Sequence, residues 1–270
     1  MDGVMPLPFE LPWTAPRIAV LEIAGTIGTA VRGPEVVRTV NALAEDARVR
    51  AVVVEIDSPG GSAPVSDAIY RSVRKLSERK PTIASVMGIC LSGGYMIACG
   101  TSKIVALPSS LVGSIGVIFM RPVVQELMEK VGVKMVVTRE GHLKDMMQPF
   151  REPTPEEQEK IQALTEEYYG RFIELVAAAR RLDPELVREY ATGEVFSGEK
   201  AKEMGLIDEL GDMDTALDMA SELGRVPRRL QYVRPRRPLL ERIISRGGAS
   251  LAQALLSEVE VWTRPRVEFR

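Results

Sequence analysis

TIASVMGICLSGGYMIA, from Thr82 to Ala98, joins an apolar run, a small polar cluster and a second apolar run. The first run, Thr82 to Met87, reads as a strand, and the residues after Gly94 suit a buried helix. A chain that turns sharply from strand to helix exposes one side chain at the turn, here Ser92. That side chain sits at the positive end of the helix dipole, where developing negative charge is favoured. The next backbone N–H, on Gly93, can point at an oxyanion. The glycines permit a tight turn and the close approach of a substrate. Ser92 is therefore a candidate nucleophile. A serine that only caps a buried helix fits the same pattern.

The pattern has an upstream echo. AVVVEI, Ala51 to Ile56, is a β-branched run that ends in Asp57-Ser58-Pro59-Gly60-Gly61. Val65, Ile69, Val73 and Leu76 then recur at helical spacing. Strand, turn and helix thus occur twice, each time with a Gly-Gly at the turn. The alternation predicts an α/β fold with a largely parallel sheet. Ligands of such sheets bind beyond the carboxyl ends of the strands, where both Gly-Gly turns lie. The Gly61 N–H is a candidate second oxyanion donor opposite Gly93; a plain tight turn is the simpler account.

Working outward, Arg17 to Ala24 is an earlier strand, and Pro34 opens a helix with Val36, Val37, Val40, Leu43 and Ala44 on one face. Residues 1–16, with four prolines, read as an extended arm. Downstream, Lys103 to Ala106, Ser114 to Phe119 and Lys134 to Thr138 read as strands and Pro122 to Lys130 as a helix. Glu140 to Pro153 is a polar loop. Thr154-Pro155-Glu156-Glu157 is a helix start with a cap, a first-turn proline and a glutamate at the third position. That helix is predicted to run to about Arg181 with Ile161, Leu164, Tyr168, Phe172, Leu175 and Val176 inward. Short helices follow near Pro184–Tyr190, Gly198–Met204 and Asp212–Leu223. The predicted domains are the arm, a central α/β domain over 17–224, and a C-terminal extension over 225–270. The extension is read as a basic linker or strand, an amphipathic helix from Leu239 to about Val259, and a closing strand, Val267 to Arg270.

Composition narrows the classes. Apolar residues make up 45% and charged residues 27% of 270, ordinary for a globular protein. A net charge of −2 gives no general pull toward nucleic acid. One histidine, His142, and two cysteines, Cys90 and Cys99, make no metal-ligand cluster, so neither metal nor cofactor is expected. No apolar run is long enough to span a bilayer, and the N-terminus lacks the pattern of a signal peptide. The expected location is cytoplasmic. The arginines between Arg225 and Arg237 read as a solvated linker, with peripheral contact to anionic lipid as the alternative.

A nucleophilic serine needs a base. His142 and Lys144 compete for that role. A Ser-His-Asp arrangement would use His142 with Asp57 or Asp145. A Ser-Lys dyad would use Lys144, made neutral by burial among apolar groups such as Leu143, Met146 and Met147.

IDSPGGS, CLSGGYMIA, SSLVGSIGVIF and GHLKDMMQPFREPTPEE, in this order, resemble the signal peptide peptidase A family of serine proteases. The resemblance covers about Ile18 to Leu223. It implies the fold shared by Clp protease and crotonase. It implies a Ser92 nucleophile, a Lys144 base, oxyanion donors at Gly61 and Gly93, and Ser114 holding the lysine. His142 becomes a neighbour of the base. The implied reaction is endopeptidase cleavage of signal-peptide remnants or other unfolded apolar chains, through an acyl-enzyme, in a ring- or dome-like homo-oligomer. Two alternatives are a crotonase-like acyl-CoA enzyme and a non-catalytic scaffold for membrane-protein quality control. Leu91 departs from the small residue frequent before the family's serine, and the proline-rich arm from its usual membrane anchor.

Overall fold

The computed structural model describes residues 15–235. The helix expected at Leu239–Val259, the strand at Val267–Arg270 and nearly all of the N-terminal arm lie outside them. The elements in chain order are β1 (Arg17–Ala24), α1 (Gly33–Glu45), β2 (Val49–Ser58), α2 (Ala63–Ser77), β3 (Thr82–Leu91), α3 (Gly93–Ala98), β4 (Lys103–Ala106) and β5 (Leu111–Gly113). Then come α4 (Gln125–Lys130), α5 (Pro155–Arg180), α6 (Pro184–Tyr190), β6 (Val195–Ser197), α7 (Gly198–Glu203), β7 (Glu209–Leu210), α8 (Met213–Gly224) and β8 (Leu230–Val233). They form two compact units, one of Met1–Ser114 with Glu194–Arg270, the other of Ile115–Gly193.

The first unit holds the sheet. Its order is β6-β5-β3-β2-β1-β8, with β4 pairing β3 and β7. Every pairing is parallel except that of β5 with β6. Strands alternate their side chains between faces. Ile18, Val20, Ala51, Val53, Ile83 and Val105 form one core cluster with Ala216, Leu217 and Ala220 of α8. Helices α1, α2 and α3 pack on one another in sequence. Strands buried on both sides need continuous apolar runs, which is why Val52, Val53 and Val54 are all buried. Strand β3 forks: Ile83 to Val86 pair with β4, and Ile89 to Leu91 pair with β5.

The second unit holds α4, α5 and α6. Helix α5 begins with the expected capping box, in which the Thr154 hydroxyl accepts from Glu157 N–H at 3.3 Å and the Glu157 carboxylate accepts from Thr154 N–H at 2.8 Å. It ends at Arg181, whose left-handed φ of 55° stops the helix. The Tyr169 hydroxyl donates to the Ala191 carbonyl at 2.7 Å, tying α5 to the end of α6.

Several expectations change. Strand β3 runs through Gly88 to Leu91, because β5 gives its last three residues a partner. Residues 114–119 and 134–138 are not strands. Their β-branched runs find no ladder, and a strand without a partner leaves its amides unpaired. Leu111–Gly113 pairs in place of the former. Leu164 of α5 is exposed, whereas Phe172, Ile173, Val176 and Ala177 are buried. The inward face therefore belongs to the C-terminal half of the helix. The tract after Arg225 does contain a strand, β8, parallel to β1. Its Arg228 pairs with Asp214 and Asp218, and Arg234 pairs with Glu22.

Candidate active site

Ser92 occupies the single residue between β3 and α3. Its φ of 49° and ψ of −118° are sparsely populated for a residue with a side chain. Neighbours over-determine the strain. The Ser92 N–H donates to Gly113 O at 2.8 Å, and its carbonyl accepts from Met96 N–H at 2.9 Å. The hydroxyl makes no capping bond to α3. The capping role that the sequence left open is therefore not used, and the half-buried side chain is free for other work.

The Asp57–Gly61 turn rests against this point. Ser58 locks it, donating to Gly25 O at 2.7 Å and accepting from Gly60 N–H at 3.1 Å. A Cβ on Gly60 would lie 2.8 Å from Ser92 Cβ and 2.9 Å from Gly93 N, so the two turns touch. Gly61 bridges Ile27, but through its neighbours: Ile27 N–H donates to Gly60 O and Ser62 N–H to Ile27 O, both near 2.9 Å or less. The Gly61 N–H takes no part in that pairing. The Gly93 N–H, first in α3, has no intrahelical acceptor. The Gly93 amide, next to the serine, is thus left over from the helix, and the Gly61 amide from the bridge to Ile27.

Ser114 also lies here. It follows Gly113, which pairs with Leu91, so the β3–β5 register sets Ser114 beside Ser92. Its φ is 50°, and its N–H donates to Glu194 O at 2.7 Å. Cys90, two residues before Ser92, is buried, and burial pushes its thiol well above the usual range. It is an inert core residue.

The first unit therefore gathers Ser92, Gly93, Gly61 and Ser114. Lys144 and His142 belong to the second unit. Lys144 sits on a turn in which its N–H donates to Gly141 O at 3.0 Å, and its side chain is exposed. The expected apolar burial is not built by its neighbours: Met147 is 49% exposed, and Leu143 and Met146 are half-buried. His142 is exposed and faces Glu156 at 3.2 Å. Asp145, in the same unit, is engaged by Arg139 and Arg151 instead. Asp57 accepts from Ile89 N–H at 3.2 Å.

Asp145 has a different occupation, which the sequence reading missed. Arg139 donates to its Oδ1, and Arg151 Nε to its Oδ2 at 3.1 Å. Arg151 also grips Glu157 with both terminal nitrogens, the longer bond being 2.8 Å. Hydrogen bonds from Arg151 and then Arg139 lower Asp145 to about 2. Arg151 and the Thr154 N–H lower Glu157 to about 2, and Arg151 is raised in return. The signal was present: Arg139, Asp145, Arg151 and Glu157 alternate in sign at a spacing of six.

Among the described residues there is no cluster of His, Cys, Asp and Glu fit for a metal ion, and no helix long and apolar enough to cross a membrane.

The family model for peptidase family S49 matches residues 74–226. A candidate protease of Synechocystis sp. is 38% identical over 245 residues, 90% of this chain and 87% of that protein. A candidate signal peptide peptidase SppA of Enterococcus faecium is 38% identical over 175 residues, 64% of this chain but 51% of its own length. The chain therefore spans about half of the second relative. Among solved structures, a variant of the 1510-N membrane-bound stomatin-specific protease superposes with a TM-score of 0.54 at 18% identity, covering 82% of this chain and 99% of that one. A ClpP1 variant from Listeria monocytogenes gives 0.50 at 15% identity, covering 73% and 93%. These likenesses bear out the Clp protease-like fold.

Proposed function

The chain belongs to peptidase family S49, the signal peptide peptidase A family of serine peptidases, and from that premise we propose an endopeptidase with a Ser92–Lys144 dyad, cleaving extended apolar peptides such as signal-peptide remnants. The observation that carries the reading is the strained Ser92 turn, whose hydroxyl caps nothing and whose Cβ lies against the Gly60-Gly61 turn.

The chemistry is acyl transfer. Neutral Lys144 Nζ accepts the Ser92 hydroxyl proton as Oγ bonds to the peptide carbonyl carbon. The carbonyl electrons move onto oxygen, and the Gly61 and Gly93 N–H groups stabilise that charge. Collapse breaks the C–N bond, and the Lys144 ammonium protonates the departing amine. Water, losing a proton to Lys144, then hydrolyses the Ser92 ester and restores the hydroxyl. Ser114 holds the lysine side chain in place. Because Lys144 is exposed in the single chain, the water exclusion that favours a neutral amine has to come with the bound apolar peptide or a second copy. Assembly as a ring- or dome-like homo-oligomer would supply that shelter and exclude folded proteins.

Hydrolysis of a fluorogenic peptide by the wild type, Ser92→Ala, Lys144→Ala and His142→Ala tests the reading. We expect the first two variants to be inactive, His142→Ala to stay active, and wild-type activity to climb toward alkaline pH, as a lysine base requires. An inactive His142→Ala beside an active Lys144→Ala would replace the dyad by a histidine mechanism.

A further inference from the structure

Between Gly116 and Glu156 only one residue is buried, and it is a carboxylate, Asp145. The stretch contains many apolar residues, among them Ile118, Met120 and Val136, at 77%, 80% and 90% exposure. A chain that leaves valines and methionines in water while burying an aspartate is not following hydrophobic sorting. Burying a charge is costly unless it is paired and hydrogen-bonded. Here it is paired twice, by Arg139 and Arg151.

Around Asp145 the backbone is a run of turns: Lys144 N–H donates to Gly141 O, Met146 N–H to Leu143 O and Gln148 N–H to Asp145 O. Such turns fix local shape but not direction. The side-chain bonds supply direction. From Asp145, Arg151 reaches Glu157, the third residue of α5 and half of its capping box. Arg121, donating to the carbonyls of Met146 at 2.9 Å and Gln148 at 2.7 Å, clamps the far side of the same turn. Guanidinium–carboxylate pairs fix orientation as well as distance.

We propose that Asp145 is a positioning residue for Lys144: through Arg139, Arg151 and Glu157 it pins the turn that carries the lysine to the first turn of α5. The proposal rests on Lys144 being the base. In this role Asp145 sets where the lysine's backbone stands.

The test compares kcat, KM and melting temperature of the wild type, Lys144→Ala, Asp145→Ala, Asp145→Glu and Arg139→Gln on one fluorogenic peptide. For Asp145→Ala the expectation is a kcat lower by about 30-fold with KM within about twofold, in keeping with the cost of misplacing a catalytic group by about 1 Å. Asp145→Glu, which can still reach the guanidinium groups, is expected to recover most of the loss. Arg139→Gln removes one partner from the outer side and is expected to lower kcat about fivefold. It decides the matter if Asp145→Ala melts below the assay temperature. A kcat unchanged in a folded Asp145→Ala or in Arg139→Gln, with Lys144→Ala inactive, would overturn the positioning role and leave the dyad standing. A loss confined to KM would overturn it also. An active Lys144→Ala would overturn the reading beneath both.

Discussion

At Ser92 a side chain is held where a glycine would be at ease. The turn is stable only because Gly113 O, Met96 N–H and the adjoining Gly60 leave it no other conformation. Gly60 is the sensitive member. Its φ is 97°, and any Cβ there meets Ser92 Cβ and the Gly93 amide below 3.0 Å. Gly60→Ala should therefore cost about 1–3 kcal/mol of stability. It should reduce peptide hydrolysis by about 10²-fold, beyond what stability explains, because it displaces the Ser92 side chain and the Gly93 amide together, the proposed nucleophile and oxyanion donor. Denaturant titration and kcat on the same samples check this; near-wild-type activity would separate the glycine turn from the site. Ser92 and both Gly-Gly turns stood out in the sequence because small residues at strand ends are rare enough to notice. The strained backbone of Ser92 and the missing cap did not, since both depend on β5, a partner distant in the chain.

Among the elements, β1, β4 and α6 match their sequence readings to the residue. Their signals are local: a β-branched run, or a proline at a first turn. The 134–138 run failed for the opposite reason. KMVVT has the composition of a strand, but pairing is a property of two segments, and no second segment accepts it. Helix α5 shows a signal read correctly and a consequence missed. Glu157 was legible as a capping residue, but its other role, receiving Arg151, requires the loop to fold back. That role has a pH signature. Asp145 and Glu157 are both depressed to about 2, so the stability they confer is present above the ordinary carboxylate range. It is lost as pH falls from there through about 2. Protection of the amides between Gly141 and Glu157, measured against their intrinsic exchange rates, should fall across that window, and less so in Asp145→Asn with Glu157→Gln. Protection that stays constant through that window in the wild type would deny the network its structural weight.

For the whole molecule, the uneven distribution of apolar surface matters most. Exposed large apolar side chains crowd into residues 118–164, with Ile118, Met120, Leu127, Val131, Val133 and Met135 among them. Concentrations of this kind mark interaction surfaces, and homo-oligomeric assembly would cover them. Light scattering on the eluting protein should give a mass several times 29.7 kDa. Met120→Glu with Val136→Glu should shift it toward the monomer. A monomeric wild type at micromolar concentration would remove the assembly from the proposal.

The way the chain leaves and rejoins the sheet has a practical corollary. Gly113 pairs with Val195 across β5 and β6, Ser114 N–H donates to Glu194 O, and Gly193 N–H donates to Ile115 O. Everything between departs and returns through a doorway one rung wide. Segments entered and left at adjacent rungs of a hairpin can be exchanged without cutting a strand. Grafting residues 116–192 from a relative onto this sheet would trade lysine loop, capping box and apolar surface as a single cassette, leaving the serine and its glycine turns in their native frame.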